Sequence, residues 1–290
     1  MKKYLALLLV LSLSLGLCAC TASGKNSYFQ ITFIDVGQGD SALVECDGHY
    51  MLIDGGNKTA GDKVYNVLEE KGIQKLDILA ISHLHEDHIG GLTKALTYTS
   101  TIRKTIANSD FDSKQTFADL ESALINCGAP ITVPHEGEKY ELGSAEVEVV
   151  DNSSAEDNDS LVLLITYGKT RFLFTGDIEA SAQMRISDKY GNGNAEPYKI
   201  DLMKLPHHGA KSNEANDTEW NPLYRFLRTF MPDYVIISVG ADNQYGHPDQ
   251  STLDLLNNKT WKPKVYRTDE NGDIIVKSNG KTISVEPIKK

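Results

Sequence analysis

The chain has 290 residues, enough for one large α/β domain with a sizeable core. Charged residues make up 24% and the hydrophobic set 40%, an ordinary globular balance that excludes a largely disordered chain. With 29 basic against 40 acidic residues the formal charge is −11, which excludes a broad electrostatic grip on DNA but not a metal site that handles phosphate.

Lys2 and Lys3 precede an almost unbroken apolar run from Leu5 to Leu17. The run is short for a membrane span, which needs roughly 20 residues, and has the shape of an export signal. It ends Leu17-Cys18-Ala19-Cys20, followed by Thr21-Ala22-Ser23-Gly24, and resembles a bacterial lipoprotein signal. Residues 1–19 are therefore expected to be removed, Cys20 to carry lipid, and residues 20–27 to link the anchor to one domain at 28–290. An ordinary cleaved signal is the alternative, and Cys18 is the rival anchor, disfavoured by the bulky Leu17 before it. The expected location is outside the cell, tethered to the outer face of the bacterial cytoplasmic membrane. Loss of Lys2 and Lys3 leaves 27 basic against 40 acidic residues, a formal charge of −13. Beyond the signal only Cys46 and Cys127 remain, both in apolar contexts, and they read as buried thiols, with a disulfide as the alternative in an exported protein.

From Tyr28 the pattern alternates as strands do, in Tyr28–Asp35, Ser41–Cys46 and Tyr50–Asp54, each bounded by Gly, Asp or Asn turns. Lys63–Lys71 reads as a helix with Val64, Tyr65 and Leu68 on one side. Leu76–Ser82 is almost continuously apolar, the mark of a strand inside a covered sheet. A helix is predicted from Asp87 to about Tyr98, then a strand near Thr101–Ala107 and a helix near Lys114–Asn126. Strands follow at Ile131–Val133, Tyr140–Val150, Ser160–Tyr167 and Arg171–Thr175. Next come a helix at Ile178–Tyr190, a strand at Ile200–Leu205, a helix at Glu219–Phe230, a strand at Tyr234–Val239, a helix at Ser251–Asn257 and three closing strands to Val285. Hairpin-linked strands alternating with single helices predict two sheets with helices outside. Ser153–Asp159 reads as a polar loop inside one domain.

His83, His85, Asp87 and His88 fall within six residues, directly after the buried strand. Imidazole nitrogen and carboxylate oxygen are ligands for zinc and other divalent ions. At an extended strand end His83 and His85 point the same way. As the chain turns into a helix, Asp87 and His88 turn toward a second position, and Gly90-Gly91 lets the backbone pass closely behind. A solvated face does not concentrate ligands in this way.

The run His83-Leu84-His85-Glu86-Asp87-His88 is an H-x-H-x-D-H signature, and on it the chain resembles the metallo-β-lactamase superfamily. Phe33-Ile34-Asp35-Val36-Gly37-Gln38-Gly39-Asp40-Ser41, Leu52-Ile53-Asp54-Gly55-Gly56, Thr175-Gly176-Asp177, Leu205-Pro206-His207-His208-Gly209 and Tyr245-Gly246-His247-Pro248 are similar, in order, to the hydrolase domain of ComEC-type competence proteins. The resemblance runs from Tyr28 to Val285, without those proteins' membrane-channel part. A secreted phosphorylcholine esterase of the same superfamily is similar too.

The resemblance implies an α/β fold of four layers, αββα, two mixed sheets sandwiched by helices. It implies two divalent metal ions, Zn or Mn. His83 and His85 would bind the first and Asp87 and His88 the second, with Asp177 bridging. His208 would complete the ligands of the second metal, its neighbour His207 being the reserve choice. Asp87, His247 and Lys204 are the residues expected to carry the chemistry. His247 stays open between a ligand, a phosphate clamp, a general acid and a helix-capping histidine. Lys204 or His247 would stabilise charge or protonate the leaving oxygen. Asp54 is expected to position the site from behind, holding a ligand histidine or the loop. Asp35, Gln38 and Asp40 lie on a glycine-rich turn that hairpin geometry explains equally well, and His49 and His135 read as surface residues. Superfamily members often place a further His between the signature and the bridging Asp. Here Asn158-Asp159-Ser160 stand in that region, with no His nearer than His135, so the first metal is expected to be more open or more weakly held.

Divalent ions ionise bound water near neutral pH, so no Ser or Cys nucleophile is needed, and the chain has neither a G-x-S-x-G elbow nor a P-loop. The leading expectation is a membrane-anchored extracellular phosphodiesterase or nuclease acting on DNA. Alternatives are an esterase of phosphorylcholine or cell-wall phosphodiesters and a lactam, lactone or thioester hydrolase. A different class is a silent surface-binding lipoprotein, against which the intact six-residue ligand set argues. No protein partner is inferred.

Overall fold

A computed structural model describes residues 28–153, 160–191, 198–211, 221–257 and 261–288. The expected signal at 1–19, the linker at 20–27 with Cys20, and residues 154–159 of the polar loop lie outside the described residues. Among the described residues no helix is long and apolar enough to cross a membrane.

Two mixed sheets lie face to face. The first runs, edge to edge, Ile283–Ile288, Asp273–Ser278, Phe29–Phe33, Ala42–Cys46, His49–Ile53, Ile78–Ile81, Thr105–Ala107, Ile131–Thr132. The second runs Lys264–Arg267, Tyr234–Ile237, Leu202–Lys204, Thr170–Phe174, Val162–Tyr167, Ala145–Asp151, Lys139–Leu142. Between them Phe29, Phe33, Phe172 and Phe174 join a continuous apolar layer, with Phe29 stacked on Phe172 at 4.9 Å and Phe33 on Phe174 at 5.6 Å. Helices Gly61–Glu70 and Gln115–Asn126 cover the outside of the first sheet through Val64, Leu68, Phe117 and Leu120. Helices Ala180–Gly191, Pro222–Phe230 and Gln250–Leu256 cover the second through Ile186, Phe226, Phe230 and Leu255. The order is therefore αββα, as the resemblance implied. Two-sided burial explains why strand Ile78–Ile81 is apolar at every position rather than alternating.

The elements differ from expectation in two instructive places. The helix predicted from Asp87 to Tyr98 is broken into Glu86–Ile89 and Leu92–Ala95. A Cβ at Gly91 would lie 2.2 Å from the carbonyl oxygen of Gly55, so this crossing with the loop after strand His49–Ile53 admits only glycine. The strand predicted at Tyr140–Val150 is a hairpin, Lys139–Leu142 paired with Ala145–Asp151 about Gly143-Ser144. Cys46 and Cys127 are both free thiols, Cys46 buried and Cys127 half-buried.

Candidate metal centre

Strands His49–Ile53 and Ile78–Ile81 run parallel, as do Thr170–Phe174, Leu202–Lys204 and Tyr234–Ile237. Asp54, the His83–His88 run, Asp177, His208 and His247 all follow the carboxyl ends of these strands, where α/β sheets carry their sites. The centre is thus assembled at one end of the sandwich from both sheets.

Asp87, His88, Asp177 and His208 each offer one donor atom, and these four atoms lie within 4.8 Å of one another. His88 Nε2 lies 3.2 Å from Asp177 Oδ2, and His208 Nε2 lies 3.3 Å from Asp177 Oδ2 and 3.4 Å from Asp87 Oδ2. Each imidazole is tethered by its other nitrogen. Nδ1 of His88 meets Asp54 Oδ2 at 2.9 Å, and Nδ1 of His208 meets the Ser238 carbonyl at 2.9 Å. Nδ1 of His83 meets the hydroxyls of Ser82 at 3.1 Å and Ser160 at 3.4 Å. Nε2 of His83 and of His208 are buried without a hydrogen-bond partner. An outer nitrogen anchored and an inner nitrogen left over is how a protein holds metal-ligating histidines, and buried polar atoms are otherwise paired. The donor set fits a divalent cation.

His83 and His85 stack edge to face at 4.6 Å, and the His83 ring lies 4.1 Å from that of His88. Among the described residues no third carboxylate, imidazole or thiol joins them in a set as compact as the one around Asp177. The first-metal position is thus the looser half. Ser160 is buried, its hydroxyl meets His83 Nδ1 and it accepts from the Asp177 backbone N–H at 2.9 Å.

The pair His207-His208 is separated by backbone conformation. Both residues are left-handed, with φ/ψ of 49/47 and 53/21, a region that costs a non-glycine residue roughly 1–3 kcal/mol at such sites. The turn buries His208 to 1% exposure and leaves His207 at 28%, its Nδ1 3.4 Å from Glu179 and its Nε2 3.9 Å from Asp177. His208, not His207, enters the four-donor set.

Lys204 is placed differently from expectation. It is 2% exposed, donates to the Gly176 carbonyl at 3.0 Å, lies 3.5 Å from Asp177 Oδ1 and is ion-paired with Asp40. Its ammonium is spent on carboxylates behind the centre, so it does not reach a leaving oxygen. Asp40, left undecided on its glycine-rich turn, is the residue that sequence reasoning undervalued. It is buried, pairs with Lys204 and lies 3.4 Å from His208 Nδ1. The turn exists to make this approach: a Cβ at Gly39 would lie 2.2 Å from the Asp87 carbonyl oxygen, which accepts from Asp40 N–H at 3.2 Å. The signal was present as Gly39 beside an acidic residue, but turn chemistry alone accounted for it.

The electrostatics follow from burial and pairing. Burial works against charge on Asp177, yet His208, His88 and Lys204 hold its carboxyl well below the usual range. Burial also opposes the Asp87 carboxylate, and the nearby His208 and His88 rings outweigh it and lower its pKa. His88 resists burial through Asp177 and Asp54 and is pushed up to about 10. Burial lowers His83 and His85, leaving their nitrogens free to ligate. Burial likewise lowers His247, whose ring lies 5.6 Å from His207 and 6.4 Å from His208.

Residues 34–219 match the family described as the Metallo-beta-lactamase superfamily. The chain belongs to this superfamily of metal-dependent hydrolases. It is 27% identical over 286 residues to ComE operon protein 3 of Bacillus subtilis, covering 90% of this chain and 35% of that protein. It is 26% identical over 253 residues to Competence protein ComA of Neisseria gonorrhoeae, covering 83% of this chain and 31% of that one. The chain thus spans about a third of the length of these curated relatives. The metallo-beta-lactamase fold protein YhfI of Bacillus subtilis superposes with a TM-score of 0.56 at 13% identity, covering 87% of this chain and all of that one, a likeness of fold.

Proposed function

We propose that this chain is a metal-dependent phosphodiesterase acting on nucleic acid, exported and held to the outer face of a bacterial cytoplasmic membrane by lipid on Cys20. The observation that carries the hydrolase reading is the convergence of Asp87, His88, Asp177 and His208, with the inward nitrogen of His208, and that of neighbouring His83, left without a hydrogen bond. The names of the relatives favour DNA over other phosphodiesters, since competence is a process on DNA. The anchor rests on the Leu17–Cys20 pattern.

In this reading Asp87, His88, Asp177 and His208 hold one divalent ion, Zn or Mn, and His83 with His85 supports a second. Such ions polarise phosphoryl oxygens and bring water toward ionisation at neutral pH. The chain's own side chains do the rest. Asp54 fixes the His88 ring, the Ser238 carbonyl fixes His208, and Lys204 with Asp40 balances buried charge behind Asp177. His247, kept neutral by burial, offers an imidazole N–H to a phosphoryl or leaving oxygen on the open side.

The test is hydrolysis by the purified chain of linear DNA, bis-p-nitrophenyl phosphate, p-nitrophenyl phosphorylcholine and nitrocefin with Zn²⁺ or Mn²⁺. Cleavage of DNA abolished by Asp87→Ala supports the proposal, and turnover of nitrocefin alone sinks it. Labelling with a fatty-acid analogue, lost in Cys20→Ser, tests the anchor.

A further inference from the structure

Tyr245 is 60% exposed on the rim of the centre. Its ring stacks on His247 at 5.7 Å and 27°, and His247 in turn lies 6.4 Å from His208. A lone exposed tyrosine on a soft loop would mean nothing, but this loop is fixed from two sides. The Asn243 side chain donates to the Gly240 carbonyl at 2.9 Å and the His247 carbonyl at 2.6 Å. Its oxygen accepts from Tyr245 N–H at 3.1 Å and His247 N–H at 3.0 Å. Gly240 N–H donates to Gln38 Oε1 at 3.2 Å, and a Cβ at Gly240 would lie 2.6 Å from Gln38 N. Gln38 belongs to the glycine-rich turn that packs on Asp87. The exposed ring is therefore held in register with the donor cluster by unbroken backbone packing.

We propose that the open face of Tyr245 is a stacking platform for the base adjoining the scissile phosphate, which makes Tyr245 a specificity-determining residue for single-stranded nucleic acid. The proposal rests on the phosphodiesterase reading. Every base presents a π-face, and a single exposed aromatic ring beside the chemistry is enough to take one without regard to sequence. A quaternary ammonium such as choline is bound by a cage of several rings. Among the described residues the ring in contact with Tyr245 is His247 beneath it, which leaves a flat face rather than a cage. Asn243 fixes the loop backbone that carries Tyr245, which lowers the ordering cost of binding.

The experiment compares the full chain with Tyr245→Ala and Tyr245→Phe on two oligodeoxynucleotides, one of thymidines with a central 2-aminopurine and one of the same backbone with abasic sites. Binding is read in chelator, where no cleavage occurs, by fluorescence anisotropy of an end label on each strand, stacking by quenching of 2-aminopurine, and cleavage with Mn²⁺. Tyr245→Ala is expected to weaken binding and raise KM about 10-fold on the base-bearing strand, with kcat nearly unchanged and 2-aminopurine no longer quenched. Tyr245→Phe restores both readings, and the abasic strand does not distinguish the wild type from Tyr245→Ala. Equal losses on both strands, or none on either, overturn the platform while leaving the phosphodiesterase intact. A loss confined to p-nitrophenyl phosphorylcholine overturns it in favour of a choline subsite. A wild type that neither binds nor cleaves either strand removes the nucleic-acid reading and the platform together.

Discussion

The two ends of strands His49–Ile53 and Ile78–Ile81 carry buried aspartates among cationic and imidazole groups, and they differ in what is left over. At the amino end Asp77 accepts from Tyr50 N–H at 3.1 Å and Arg103 Nη1 at 3.2 Å, with His49 Nδ1 at 3.3 Å and Lys75 Nζ at 3.6 Å. Its cationic partners are largely exposed, and none of these groups keeps a buried polar atom unpaired. At the carboxyl end, acids and histidines of the same kinds leave His83 Nε2, His208 Nε2 and Asp40 Oδ1 buried without a hydrogen bond. Residue type does not separate a structural knot from a ligand set. The accounting of donors and acceptors does.

Substitutions at the two ends should break this symmetry. The largest effect is expected for Asp177→Asn, which removes the carboxylate shared by His88, His208 and Lys204. Metal content falls, and bis-p-nitrophenyl phosphate hydrolysis drops by more than the roughly 100-fold that a supporting partner is worth. Lys204→Met should destabilise the protein by about 3–5 kcal/mol, because Asp40 and Asp177 lose their buried counter-charge; denaturant unfolding would show it, and an unchanged midpoint would contradict the role assigned to Lys204. Asp54→Asn keeps the fold but loosens His88, with metal affinity or activity reduced about 10–100-fold. Asp77→Asn should cost on the order of 1 kcal/mol and leave hydrolysis unchanged. Burial opposes charge on Asp77, and the Tyr50 N–H, His49 and Arg103 overcome it, so its folded pKa lies below the 3.8 of an unperturbed aspartate. Its contribution is therefore present above pH 3.8 and fades as pH falls through the folded value. Melting temperatures between pH 5 and 2 should fall less steeply in Asp77→Asn than in the wild type.

Legibility in the sequence followed the distance over which information had to travel. His83, His85, Asp87 and His88 were readable because six consecutive residues hold four ligands, and the layered fold because strand and helix periodicities are local. Asp177 and His208 lie 89 and 120 residues beyond His88, so no spacing rule reaches them, and only resemblance to a family singled them out. Lys204 was read as a group that stabilises charge or protonates the leaving oxygen because a sequence gives a side chain's chemistry but not its direction; the strand Leu202–Lys204 turns it inward onto Asp40 and Asp177. Asp40 was hidden by its own neighbours, since Gly37 and Gly39 read as a turn whether or not the next residue is buried. The helix break at Gly90-Gly91 depended on a crossing with Gly55, a contact between separate segments.

The donor set draws Asp87 and His88 from the short helix Glu86–Ile89 beyond one sheet and Asp177 and His208 from turns beyond the other. A cation captured there ties the first third of the chain to the last two thirds as a removable cross-link. Because it binds the assembled seam and not the unfolded chain, each tenfold rise in free ion above its Kd adds about 1.4 kcal/mol to folding. The supply of metal in the surroundings would then set how long the protein lasts as well as how fast it works.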